Sequence, residues 1–212
     1  MELAEANQLL DPGYLDFESG YKRLSDGQLH VANWTTMFGC AGHMVEWWFD
    51  FLETTEQYRW WHPKDHVWCE WIDEVGNRNF IGGTHHVHEY IGGVLQKLRI
   101  HFRDPAEYLD VSRFSEAGVT AAVCARVGPL GSSIWAGHLI HLCRDTDYGC
   151  EMRSRFWLGD FDPPELAPDA ESRRRLFPDS AGEGLVKHCH EEMSYLAEFL
   201  PRLHAENEPS TV

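Results

Sequence analysis

The sequence lacks a basic excess, a membrane-length apolar run and a paired-cysteine motif, and each absence removes a class of function. Its 18 Lys and Arg stand against 34 Asp and Glu, a net charge of −16. Such a surface repels nucleic acid and anionic membranes, so neither is an expected partner. No stretch approaches the roughly 18 uncharged apolar residues of a membrane span. Met1–Leu10 carries Glu2 and Glu5 and has neither a basic start nor an apolar centre, so no secretory signal is read there. The six cysteines, Cys40, Cys69, Cys124, Cys143, Cys150 and Cys189, are scattered, with no C-x-x-C pair. They are predicted to be reduced thiols of a cytoplasmic protein. There is no internal repeat and no low-complexity block.

What is present is the composition of a globular domain. The 212 residues are 43% hydrophobic and 25% charged, which argues against disorder, collagen and coiled coil. Trp, Phe and His are abundant, at 9, 11 and 13 residues. Aromatics line cavities as well as cores, and histidine at this frequency invites a metal hypothesis. A small ligand therefore fits better than a polymer.

The chain reads as one domain. Residues 1–33 alternate turn signals (Asp11-Pro12-Gly13, Ser25-Asp26-Gly27) with short apolar pieces and are expected to form an arm packed on the domain. His43–Leu52 reads as a short buried helix. Strands are predicted over 67–72, 84–91, 94–102, 119–127, 133–143 and 150–158, with glycine-rich breaks that favour antiparallel hairpins. Residues 159–180 hold four prolines and many charges and are expected to be a surface loop. A final helix is predicted over 184–204. That order gives an α+β fold in which a curved sheet wraps the last helix and leaves a cavity between them.

The last helix carries the first chemical signal. At about 100° per residue, Leu185, His188, Cys189, Glu192, Leu196, Phe199 and Leu203 share one face. Lys187, His190, Glu191, Ser194, Glu198 and Arg202 fall on the other. A carboxylate on the apolar face needs a partner, because burying it alone costs several kcal/mol. His188 and Glu192, one turn apart, can reach one ion. The competing reading is a mutual His–Glu hydrogen bond, or a Glu192 satisfied by Arg153 or Arg155. Two further clusters stand upstream. In Tyr58-Arg59-Trp60-Trp61-His62-Pro63-Lys64-Asp65-His66, two histidines flank a proline turn before a strand, either to aim an imidazole into a cavity or as a solvated turn. In His85-His86-Val87-His88-Glu89, alternation puts Glu89 on the face of His85 and Val87. That face is inward if Val87 is; otherwise the strand presents an exposed polar face.

Tyr58-x-x-Trp61-His62-Pro63-x-Asp65-His66, Met152-Arg153-Ser154-Arg155-Phe156-Trp157-Leu158-Gly159 and His188-x-x-x-Glu192-Met193, with Met44-x-x-Trp47-Trp48, together resemble the diacetylphloroglucinol hydrolase / phloretin hydrolase family. The segments span residues 40 to 200, and their order and combination carry the resemblance. It implies a START-like helix-grip fold and cleavage of the carbon–carbon bond between an acyl group and a phenolic ring. It also implies a zinc held by two His and two Glu. By position the metal ligands fall on His66, Glu89, His188 and Glu192; Glu89 is placed by order along the chain. A substrate-binding Tyr falls on Tyr58, and a substrate-binding His on His138 or His141. The chain departs from the family in being shorter on its N-terminal side. It also departs in carrying Cys69 where the family has a polar substrate contact.

The resemblance and the helix geometry converge on His188 and Glu192. His and carboxylate ligation favours zinc over calcium or magnesium, with iron or manganese as alternatives. The leading expectation is a zinc-dependent hydrolase of a small aromatic acylated substrate, releasing a carboxylic acid. Its rivals are a metal-free polyketide cyclase or aromatase of the same fold, and a non-catalytic carrier of aromatic ligands. Metal content separates the first, and return of unchanged ligand the second. The sequence leaves a homodimer open.

Overall fold

The structure, a computed structural model, describes residues 1–72 and 80–207. Eight strands form one antiparallel sheet: β1 (Gly20–Arg23), β2 (Leu29–Phe38), β3 (His66–Trp71), β4 (Thr84–Ile91), β5 (Val94–Arg103), β6 (Val119–Pro129), β7 (Trp135–Thr146) and β8 (Gly149–Asp162). Their order is β1-β2-β8-β7-β6-β5-β4-β3. Between β2 and β3 lie helices α1 (Gly42–Phe51) and α2 (Thr55–Trp61); α3 (Phe114–Ala117) precedes β6, and α4 (Ala170–Leu176) and α5 (Asp179–Asn207) follow β8.

The sheet curls around α5. That helix packs on β1 and β2 at one end of the strand order and on β4 near the other, so the strands between arch over it. This is the α+β helix-grip expected from the sequence. Two hairpin details fix the grip. Ile91 pairs with Val94, leaving Gly92-Gly93 as a two-residue turn with φ of +60° and +79°, which only glycine adopts readily. At that turn the start of α5 approaches so closely that a Cβ on Gly184 would lie 2.6 Å from Gly92 Cα.

Strands β6, β7 and β8 are buried on both faces. Their inner face joins Val123, Leu139 and Met152 to Val45 and Trp48 of α1 and to Leu185, Met193, Leu196 and Leu200 of α5. Leu196 is fully buried there, and truncating such a leucine to Ala costs about 2–5 kcal/mol. The outer face packs Cys124, Ile140, Leu142 and Trp157 under Ala6, Leu9 and Leu10 of a 3₁₀ helix over Leu3–Leu10. All six cysteines are buried with free thiols. No helix of the described residues is long and apolar enough to cross a membrane.

Two local expectations need correction. Much of the predicted arm is sheet: β1 and the start of β2 lie within residues 1–33, and β2 pairs with β8 along its whole length. Leu29–Asn33 are buried on both faces, so no alternation marks them as a strand. The predicted loop over 159–180 begins as the end of β8 and contains α4, capped where Asp169 accepts from Ser172 N at 2.7 Å. Prolines on both sides of that short helix hide it. Tyr58 lies in helix α2, started by a Thr54–Gln57 capping box, and the expected proline turn follows it at His62–Asp65.

Candidate metal centre and active-site cavity

Four elements bring the site together. Helix α2 buries Tyr58, 2% exposed, on its inner side. The turn His62-Pro63-Lys64-Asp65, closed by His66 N donating to His62 O at 3.0 Å, delivers His66 to the first position of β3. There His66 pairs across the sheet with Glu89 of β4. Helix α5 presents His188 and Glu192 from the opposite wall, both buried.

The four side chains converge. His66 Nε2 lies 3.7 Å from Glu89 Oε2 and 3.7 Å from Glu192 Oε2. His188 Nε2 lies 4.0 Å from Glu89 Oε2 and 3.9 Å from Glu192 Oε2. Around a tetrahedral zinc with bonds of about 2.0–2.2 Å, neighbouring donors stand roughly 3.3–3.6 Å apart. The four His–Glu separations are a few tenths of an ångström longer than that spacing. They are also too long for direct hydrogen bonds, and His66 Nε2 is a buried nitrogen with no hydrogen-bond partner.

The surroundings orient both imidazoles. His66 Nδ1 donates to the Tyr58 carbonyl at 2.8 Å, which leaves Nε2 as the free lone pair. The Tyr58 ring stacks on His66 at 3.7 Å and 6°. His188 Nδ1 sits 3.4 Å from Asp65 Oδ2, the carboxylate–histidine arrangement common behind metal ligands. Burial, with the positive His188 nearby, pushes the His66 pKa well below its ordinary value, so its ring is neutral. Burial pushes the Glu192 carboxyl up to about 8, with Glu89 adding to the rise. Two carboxylates in so dry a place call for a cation. The arginines named as alternative partners of Glu192 are engaged elsewhere: Arg153 and Arg155 both bind Glu18.

A small cavity, about 70 Å³, opens beside these donors. Its walls are Phe49, Phe102, Phe156 and Leu139, and its polar groups are Tyr58, Glu89, His188, Glu192, His85 and His141. Tyr58 donates its hydroxyl to Glu89 Oε2. His141 Nδ1 lies 2.8 Å from Ser154 Oγ, and burial lowers its pKa to about 4.

His138 is not in the cavity. It points to the outer face of the sheet, its Nδ1 3.0 Å from Tyr108 Oη and its Nε2 3.3 Å from Asp160 Oδ2. Strand alternation puts residues 138 and 141 on opposite faces, and the inner one is His141. His85 is a cavity residue that sequence reasoning passed over as a site group. It stacks on Trp71 at 4.6 Å and 13°, and its Nε2 is buried without a partner. The signal was available, since His85 shares its face with Glu89. Cys69 is buried in the inner core, its backbone N–H bonded to Thr55 Oγ1 at 3.1 Å.

A curved antiparallel sheet gripping a helix, with two His and two Glu converging beside an aromatic cavity, defines a helix-grip protein with a candidate metal centre. The chain belongs to the DAPG hydrolase PhiG domain family, whose model matches residues 1–205. It is 28% identical over 225 residues to 2,4-diacetylphloroglucinol hydrolase from a Pseudomonas species, covering 96% of this chain and 76% of that protein. The same enzyme from Pseudomonas protegens matches at 28% identity, covering 96% of this chain and 73% of the relative. Phloretin hydrolase of Eubacterium ramulus is 28% identical over 199 residues, covering 88% of this chain and 71% of that one. Among solved structures, a Mycobacterium smegmatis protein superposes with a TM-score of 0.49 at 12% identity, over 88% of this chain and 99% of the other.

Proposed function

We propose that the chain is a metal-dependent hydrolase of acylphloroglucinol-type ketones. It cleaves the bond between the acyl carbon and the phenolic ring and releases a carboxylic acid and the deacylated phenol. The observation that carries this reading is the convergence of His66, Glu89, His188 and Glu192 beside an aromatic cavity, in a chain whose relatives are named for hydrolysis of acylphloroglucinols. The donor set of two imidazoles and two carboxylates suits zinc. When bound, zinc supplies Lewis acidity and lowers the pKa of water.

The chain's own residues account for the rest. Phe49, Phe102 and Phe156 sandwich a ring and exclude bulk water. Tyr58 and His141 hydrogen-bond phenolic oxygens and hold the ring while its electron density changes. The acyl-bearing ring carbon first takes a proton, relayed through Tyr58 or His141, as a neighbouring phenol becomes a ring ketone. Water then adds its hydroxyl to the acyl carbon. The carbon–carbon bond breaks with its electron pair passing into the ring ketone, which restores the phenol. Neutral imidazole at His141 can accept or donate as needed.

The test is incubation of the protein with a panel of acylphloroglucinols, with mass spectrometry for the acid and the deacylated phenol. Stoichiometric release of both, lost on chelation, is the expected result. Return of unchanged ligand by metal-replete protein makes it a carrier. Release unaffected by removal of metal makes it a metal-free enzyme.

A further inference from the structure

A second hollow adjoins the cavity. It lies between the inner face of the sheet and the α4–α5 junction and spans about 500 Å³. Its wall carries the aliphatic side chains of Ile91, Leu98, Val127, Leu158, Ala181 and Leu185, with Phe177 and the polar Gln96, Lys97, Arg175 and Ser180 also in the lining.

The groove continues the cavity strand by strand. On β4, Glu89 lines the cavity and Ile91 the groove; on β5 the pair is Ile100 and Leu98, and on β8 Phe156 and Leu158. Each pair is two residues apart and so shares the inner face. On α5, His188 lines the cavity, Ala181 lines the groove, and Leu185 lines both. The converging donors therefore have two different neighbours. One side holds the phenylalanine walls with His85 and His141. The other holds aliphatic side chains. Val94 and Leu176 at the groove are 60% and 59% exposed, so apolar surface there awaits cover. The charged lining residues, Lys97 and Arg175, are both exposed.

We infer that this groove is an acyl-arm subsite, and that it takes an unbranched aliphatic chain longer than acetyl. The inference rests on the hydrolase reading for its orientation. The ring lies among the phenylalanines, the acyl carbon sits at the His/Glu donors, and the arm leaves past Leu185. An aliphatic arm is favoured because the inner wall, Ile91, Leu98, Val127, Leu158, Ala181 and Leu185, is aliphatic, while Lys97, Arg175 and Ser180 are exposed and Gln96 and Phe177 are half-buried.

The test separates binding from turnover. Alkylphloroglucinols with straight chains of increasing length, which have no bond to hydrolyse, are titrated by calorimetry into metal-replete protein. Each methylene buried in the groove is expected to tighten Kd by roughly three- to fourfold, until the chain reaches solvent. Ala181→Phe and Leu158→Phe, which fill the groove from opposite walls, are expected to abolish that gain beyond the shortest chains. Their circular dichroism and turnover of acetylphloroglucinol should match wild type. A flat length series overturns the subsite, and so does a length gain that both folded variants retain. Either result leaves the hydrolase reading to its own test, because acetylphloroglucinol turnover is measured alongside. Conversely, a length gain abolished by the variants upholds the subsite whether or not that ketone is cleaved.

Discussion

Replacing Tyr58 by Phe removes one oxygen atom and leaves the rest of the site in place. The phenyl ring can keep its 3.7 Å stack on His66, and the backbone carbonyl still accepts from His66 Nδ1 at 2.8 Å. Glu89 loses the hydroxyl that donates to its Oε2. A hydrogen bond to a buried carboxylate contributes about 1.5–3 kcal/mol. Part of that loss falls on folding, so the melting temperature should drop by a few degrees. The larger effect is on turnover, because the same hydroxyl is the group placed to steady a phenolic oxygen. Loss of such an interaction lowers kcat/KM by about 10², equivalent to ~2.7 kcal/mol of barrier. Metal content of protein loaded with excess zinc should stay near wild type, since all four donors remain. The assay is kcat and KM on an acylphloroglucinol, with elemental analysis of the same preparation. A kcat/KM within twofold of wild type refutes the role given to Tyr58. A variant that loses metal and activity in proportion makes it a support for the ligands instead.

His141→Ala should lower kcat/KM by about 10², whereas His138→Ala, on the far face of the sheet beside Asp160, should leave it within about threefold; equal losses would void the assignment of faces. His85→Phe keeps the stack on Trp71 but deletes a buried, unpartnered nitrogen facing the cavity, so KM for polyhydroxylated rings should rise about tenfold with kcat little changed. An unchanged KM would show that the substrate does not reach it. Stability should fall in mild acid. Burial lowers the pKa of His30 and His85 to about 3 and of His141 to about 4, from an ordinary 6.5. Below pH 6.5 the unfolded chain takes up protons that the folded chain refuses, so stability declines toward pH 3–4 by up to about 1.4 kcal/mol per pH unit for each group. Denaturant midpoints that stay constant from pH 7 to 5 would contradict this.

Much of this architecture is legible in the residues. The bounds of β4 follow from its flanking glycine pairs, and the helical positions of His188 and Glu192 from the apolar stripe of α5. Alternation along β4 ties Glu89 to Val87, whose full burial turns the carboxylate inward. What escapes sequence reading depends on tertiary context. β2 is buried on both faces and so shows no period. α2 is only seven residues long, too short to display an apolar stripe, although Thr54 and Gln57 mark its start. Residues 138 and 141 are plainly on opposite faces, but which face is inner depends on the side on which α5 lies. The fate of Arg153 and Arg155 depended on Glu18, more than 130 residues away in sequence.

The central claim is that His66, Glu89, His188 and Glu192 hold one metal ion. Elemental analysis of protein purified without chelator tests it most directly, with Glu192→Ala measured beside it. The account predicts close to one transition-metal ion per wild-type chain, zinc foremost, and a large loss of metal together with activity in Glu192→Ala. Wild-type protein that is active on acylphloroglucinols yet carries no stoichiometric metal would contradict it.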